Sequence, residues 1–304
     1  MNSLGFHSDA TNANNMSIKK RHLWECQQLG GTVKFDKQLA LLANGSLPVR
    51  VTFHPYQDRL IVADSRNRVS IWDWAGNIKN GLWVNGNPER NSQISGLIPI
   101  QNDRLIVTST NGVARCWKPD YSAEGQSASL EAVHQLSFNG SKDGKDIFEV
   151  DWDAQSSLLW AVASDDPWLS AWDLIMQRGY RSCSLGVNST PTSLRTSGNQ
   201  VFVGFSNGLL VGYDPRSSSR QTATFQAHDH WLVDIVQVAD NPHQLVTASV
   251  IGDIAIIDRR RPDRILRYDV LTGQAGLLTL CGHSVLPVIA MGSSDQTLRF
   301  LGLS

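Results

Sequence analysis

A residue that is aromatic or aliphatic, closes a strand-like run and is mostly followed by aspartate returns six times along this chain: Trp72-Asp73, Trp117, Trp172-Asp173, Tyr213-Asp214, Ile257-Asp258 and Phe300. The spacings lie between 41 residues, from Trp172 to Tyr213, and 55, from Trp117 to Trp172. A period of roughly 40 to 45 residues holds four short strands with their turns, and such units bury their faces only by stacking on one another. The expectation is an all-β fold, a WD-repeat β-propeller with six recognisable blades.

Each repeat also carries the strand that should precede the marked one. These strands are apolar and rich in β-branched residues, as in Arg59 to Ala63, Arg104 to Thr108, Gln200 to Gly204 and Leu286 to Ala290. A strand covered on both faces by neighbouring sheets needs this composition. Residues 33–304 are assigned to the propeller, and residues 1–32 to a polar segment in which Ile18 to Gln28 has the pattern of a short helix. The ring at the end of the third strand is expected to fill the wedge between blades. On that reading Ile257 and Phe300, being smaller or differently shaped, predict looser packing in their blades. Propellers of this type often join an Asp in the turn before the third strand to a His in the loop entering the blade. Six positions before the reference residues stand Arg66, Asn111, Asp166, Asn207, Ile251 and Ser294, so that network is expected to be mostly lost. The pairs Asn111-Gly112 and Asn207-Gly208 supply residues tolerant of positive φ for the intervening turn.

Composition narrows the function. Lys plus Arg total 27 against 28 Asp plus Glu, leaving no overall field to draw the chain to nucleic acid or anionic lipid. No apolar run approaches the roughly 20 residues that cross a bilayer. Residues 1–16 lack the basic start and apolar core of a secretory signal, which favours the cytoplasm. Cys26, Cys116, Cys183 and Cys281 are far apart and form no ligand motif, so neither a metal nor another cofactor is expected. No catalytic residue is assigned. The His-Asp-His run in Ala227 to Trp231 has no further ligand nearby and reads as a loop entering a blade, with His230 and Trp231 as candidate partner contacts. The basic run after Asp258, namely Arg259, Arg260 and Arg261, reads as a surface loop, with contact to an acidic partner as the sharper alternative. Trp168 is either blade packing or an exposed anchor.

Longer stretches carry a family resemblance. The segment VRVTFHPYQDRLIVADSRNRVSIWDW from Val49 to Trp74, with NGNPER at Asn85 to Arg90, resembles the first blade of the carboxy-terminal propeller of raptor-type regulatory subunits of TOR complex 1. VDWDAQSSLL at Val150, YDPR at Tyr213 and SVIGDIAIIDRRRPD at Ser249 follow in the same order. The resemblance implies a non-catalytic scaffold. Its partners would be the TOR kinase complex and nutrient-sensing small GTPases, with recruitment to the lysosomal or vacuolar surface and a role in nutrient-regulated growth. It also implies seven blades, so the last is expected to be missing and the ring open in a truncated chain. The alternative is closure by Thr32 to Phe35 or Gln38 to Ala43. Two other readings stay open: a generic WD-repeat adaptor, such as an ubiquitin-ligase receptor or trafficking coat, and an enzyme built on a propeller.

Overall fold

The computed structural model describes residues 34–303 apart from 56, 75–77, 86–91, 101–102, 121–127, 137–147, 165, 175, 218–220, 239–240, 242, 262–264 and 271–274. The expected helix at Ile18 to Gln28 and the stretch from Gly86 to Arg90 lie outside these residues. Twenty-four strands form six antiparallel four-stranded sheets among them. Sheet 1 holds β2 (Pro48–Phe53), β3 (Arg59–Asp64), β4 (Arg68–Asp73) and β5 (Ile78–Val84). Sheet 2 holds β6 (Ile94–Ile100), β7 (Arg104–Ser109), β8 (Val113–Pro119) and β9 (Ala128–Gln135), and sheet 3 holds β10 (Phe148–Asp153), β11 (Leu158–Ala163), β12 (Asp166–Asp173) and β13 (Arg178–Ser184). Sheet 4 runs through β14 (Pro191–Ser197), β15 (Gln200–Phe205), β16 (Leu209–Tyr213) and β17 (Gln221–Gln226). Sheet 5 runs through β18 (Leu232–Gln237), β19 (Gln244–Ser249), β20 (Asp253–Asp258) and β21 (Ile265–Asp269).

Sheet 6 is assembled from both ends of the described chain. It orders β22 (Leu277–Gly282), β23 (Val288–Ser293) and β24 (Thr297–Leu303), and β1 (Phe35–Ala43) completes it as the outer strand by pairing antiparallel with β24. The first strands of the sheets contact one another in a closed cycle, β2 to β6, β10, β14, β18, β22 and back to β2. The ring is therefore a closed six-bladed propeller, and the expected open gap is absent. A propeller that borrows its last outer strand from the other terminus leaves no sheet unfinished. The second strand of sheet 6 starts at Val288, after Pro287, later than the Leu286 start read from the sequence.

Register tests the repeat. Trp72, Trp117, Trp172, Tyr213 and Ile257 pair with Leu60, Leu105, Leu159, Val201 and Leu245, each the second residue of its neighbouring strand. In the last sheet that partner is Ile289, and it pairs with Leu301 instead of Phe300. Side chains alternate across a strand, so one residue of offset changes the face. Trp72, Trp172, Tyr213 and Ile257 pack toward the preceding blade, and Leu301 does likewise against Val246 and Ile254 of sheet 5. Phe300 faces the other way, into the seam where sheet 6 meets sheet 1, among Phe53, Leu60 and Trp72. Ile257 and Phe300 are both 0% exposed, so neither leaves its seam open to solvent. A fully buried side chain of this size stabilises the fold by roughly 1.5–3 kcal/mol.

Five of the turns between second and third strands share one geometry. The backbone N–H of Asn67, Gly112, Gly208, Gly252 and Gln296 donates to the carbonyl three residues earlier, and each of these residues has positive φ. Only the glycine of each Asn-Gly pair is left-handed. Asn111 and Asn207 instead accept the N–H of Val113 and Leu209 on their side-chain oxygens, closing the turn from inside. Gly208 is required for a second reason, since a Cβ there would stand 2.0 Å from the carbonyl oxygen of His228.

Candidate protein-interaction surfaces

An antiparallel four-stranded sheet puts its first and third hairpins on one rim of the ring. Its middle hairpin and the crossing to the next sheet lie on the other. The crossing into sheet 5 contains the His-Asp-His run, and its residues separate at once by burial. His228 is fully buried, whereas His230 and Trp231 are exposed, Trp231 to 44%. His228 Nδ1 lies 2.6 Å from Asp253 and its Nε2 2.8 Å from Thr247 Oγ1, and Ser249 Oγ donates to the other oxygen of Asp253. Burial raises the Asp253 carboxyl, but hydrogen bonds from His228 and Ser249 outweigh it and hold the group below its ordinary value.

This is one instance of the network that the sequence was expected to have mostly lost. Its acid comes from the first residue of β20, two positions later than the turn position inspected. Sheet 6 hid another acid, because its reference residue was misplaced by one. Counted from Leu301, the turn position is Asp295, which accepts from Thr297 N at 3.1 Å and from the Ser293 and Thr297 hydroxyls. Burial works against that carboxylate, yet these bonds and Arg299 hold it at about 2.

Next to Trp231 the same rim exposes Val250 and Ile251, and Val250 N donates to Trp231 O at 3.0 Å. Trp231, Val250 and Ile251 thus form an exposed apolar patch. Trp168, in β12, is only half-buried, and the guanidinium of Arg181 stands over its ring at 5.7 Å. Trp83 is buried, with its ring 6.2 Å from that of Trp117.

The opposite rim carries the loops that follow the reference residues, and there the repeated aspartates have a defined task. Asp173 accepts Met176 N, Asp214 accepts Arg216 N and Asp258 accepts Arg260 N, at 2.9, 3.0 and 3.0 Å. Each folds its own loop back on itself. Arg260 is exposed and doubly hydrogen-bonded to Asp258, and Arg261 is exposed beside it. Arg259 turns inward, donates to Ser197 Oγ at 2.9 Å and to Gln200 Oε1, and stands 4.8 Å over the Phe202 ring. The basic run is therefore one inward guanidinium and two outward ones.

On this rim a cavity of about 390 Å³ is lined from all six sheets, by Phe53, Pro99, Trp152, Arg195, Gln237 and His283 among others, and marks the mouth of the central channel. Inside, Arg50 of β2 crosses to Glu149 of β10 and donates Nε to Ser95 O at 2.7 Å. Burial pushes the Glu149 carboxyl up to about 8, with Asp234 adding to it and Arg50 opposing. Burial also raises Asp234, even though Leu280 N and Ile235 N donate to it. The sequence reading missed these residues; β2 and β18 each signalled one by a single charge in a first strand, whereas β10, reading FEVDWD, hides Glu149 among three acids. Among the described residues no group of three or more His, Cys, Asp or Glu is placed to hold a metal ion, and no helix is long and apolar enough to cross a membrane.

The crystal structure of Chaetomium thermophilum Raptor superposes on the ring with a TM-score of 0.71 at 18% identity, over 90% of this chain and 29% of that one. The target of rapamycin complex 1 subunit mip1 of Schizosaccharomyces pombe is 26% identical over 275 residues, 88% of this chain and 20% of its own length. The chain matches the WD-repeat propeller region of raptor. The regulatory-associated protein of TOR 2 of Oryza sativa subsp. japonica is 24% identical across 94% of this chain and 21% of its own, and the target of rapamycin complex 1 subunit KOG1 of Saccharomyces cerevisiae is 24% identical across 86% and 18%. The chain spans about a fifth of the length of these curated relatives. No protein-family model matches it. In this raptor-like propeller the conspicuous surfaces are the Trp231 patch on one rim and the arginine-bearing loops on the other.

Proposed function

We propose that this chain is the non-catalytic interaction propeller of a raptor-like subunit of TOR complex 1. It acts as a scaffold surface that supports TOR kinase signalling in nutrient-regulated growth. Its partners are the TOR kinase complex and small GTPases, met in the cytoplasm and at the lysosomal or vacuolar surface. The observation that carries this reading is the colinear match to TOR complex 1 subunits along 86 to 94% of the chain. The surface chemistry supports it as well: an exposed tryptophan flanked by aliphatic residues is the composition of an interface hot spot. Specific interfaces bury about 1,000 Å² or more, so several loops act together. The test is an affinity purification of the tagged chain from its own cells, beside a full-length raptor-like protein as positive control. Recovery of TOR kinase with both is expected; recovery with the control alone would overturn the proposal.

A further inference from the structure

Two cavities of about 460 and 640 Å³ on the hairpin rim share Gln155, Gly198, Asn199, Gln200 and Arg216. They are parts of one trench. Its outer end lies between sheets 3 and 4, where Leu158, Tyr180 and Pro215 line it, and Tyr180 is 48% exposed. The inner end reaches Gln237 and Arg259 of sheet 5, and Gln237 also lines the channel mouth. At Gly198, φ is 61° and nothing stands within 4 Å of where a Cβ would be, so the floor there is bare backbone that another chain can approach.

The polar groups of the trench divide by role. Its carboxylates are engaged by their own loops, Asp153 by Gln155 N and Ser156 Oγ at 3.0 and 2.5 Å and Asp214 by Arg216 N at 3.0 Å. Its guanidiniums are held from behind, Arg216 by Asp214 and Arg259 by Ser197, Gln200 and the Phe202 ring. A guanidinium already fixed in position loses little freedom when it binds a carboxylate, and Arg meets that group with two parallel hydrogen bonds. The side-chain amides of Gln155 and Asn199 also line the trench, while that of Gln200 is committed to Arg259 and Thr222. Burial also lowers Arg259 from its ordinary value, a cost that an arriving carboxylate offsets.

We propose that this trench holds an extended acidic peptide segment of a protein partner, with its carboxylates on Arg216 and Arg259 and an apolar side chain against Leu158, Tyr180 and Pro215. The proposal rests on the interaction-module reading above and names the surface and ligand chemistry. The test pans random peptides of about nine residues, about 30 Å long at roughly 3.3 Å per residue, on the immobilised full chain. Enrichment of Asp and Glu is expected. A selected peptide then binds about tenfold more weakly to Arg216→Gln, and again to Arg259→Gln, as expected for the loss of one charge-assisted contact each. Arg216 is exposed and held within its own loop, so its variant reads binding without disturbing the fold. Three results would overturn the proposal: no acidic enrichment, equal affinity for the peptide with Gln in place of its acids, or displacement by inorganic phosphate alone. Trp231→Ala, on the other rim, leaves the affinity unchanged, and weakening there would also overturn it. Purification of TOR kinase with the tagged chain separates the two levels. Its loss with peptide binding intact removes the complex assignment, whereas its retention without peptide binding removes only the trench.

Discussion

Sheet 5 and the seam between sheets 6 and 1 meet the same packing demand with different chemistry. In sheet 5 a buried His, an Asp and two hydroxyls lock the crossing loop onto its own blade through directed hydrogen bonds. At the seam Phe300 stacks on Trp74 at 5.5 Å and meets Phe53 edge-on at 6.1 Å, with His283 5.0 Å from Phe53. The polar network joins residues 4 to 25 positions apart, whereas Phe53 and Phe300 are brought together only when the two ends of the ring meet. Apolar surfaces tolerate small errors of approach; short hydrogen bonds do not. The molecule locks the sheet 5 crossing with local polar bonds, and at the seam it adds aromatic packing to the β1–β24 ladder and to bonds such as that from Val51 N to Thr279 Oγ1 at 3.2 Å.

The largest effect should come from breaking the seam. Phe300→Ala removes the plug and leaves a cavity, and a loss of about 3–5 kcal/mol is expected from the shift of the urea unfolding midpoint. An equal loss for Leu41→Ala, on the exposed side of the outer strand, would show that the seam has no special part in closure. His228→Ala should cost less, about 2–3 kcal/mol, by stranding the Asp253 carboxylate. Because the Asp253 pKa is depressed, the network's electrostatic contribution is complete above the unfolded carboxyl range and is lost as pH falls through the folded value. Asp253→Asn should flatten that acid limb in pH-dependent unfolding, while Phe300→Ala keeps it.

The channel supplies the opposite sign and so sharpens the comparison. Glu149 sits at about 8, above its unfolded value, so the folded state holds a proton that the unfolded chain releases above roughly pH 4.3. Its contribution is present below that pH and declines as pH rises to about 8, by at most about 1.4 kcal/mol per pH unit. Glu149→Gln should remove this slope in urea midpoints measured between pH 5 and 8. An unchanged slope would place the titrating group elsewhere.

How much of this could be read beforehand follows from where the signals lie. Trp72, Trp172 and Tyr213 were legible because an apolar residue ending an alternating strand is a local pattern, and each landed in the same register. Phe300 was read one residue off because Phe300 and Leu301 are both apolar and face opposite seams. Asp253 escaped because the acid arises from the strand and not from the turn. Arg50 and Glu149 are 99 residues apart, a separation at which no local periodicity marks a contact. Closure by Thr32 to Phe35 or Gln38 to Ala43 was the alternative to the expected open gap, and only the pairing of β1 with β24 decides for closure.

The smallest stability effect is expected at Trp231, which bears on why two tryptophans of one chain should behave so differently. Trp172 is 8% exposed and packs among Ile106, Ala114 and Leu159, while Trp231 is 44% exposed beside Val250 and Ile251. Trp231→Ala should change the unfolding midpoint by no more than the equivalent of about 0.5 kcal/mol, the usual range for a surface substitution. A ring of this size left 44% exposed offers apolar surface that a partner could bury under the function proposed above. If Trp231→Ala proved as destabilising as Trp172→Ala, the ring would belong to the fold and that rim would lose its anchor. If it instead left stability intact while weakening recovery of TOR kinase, the division between packing and recognition tryptophans would stand.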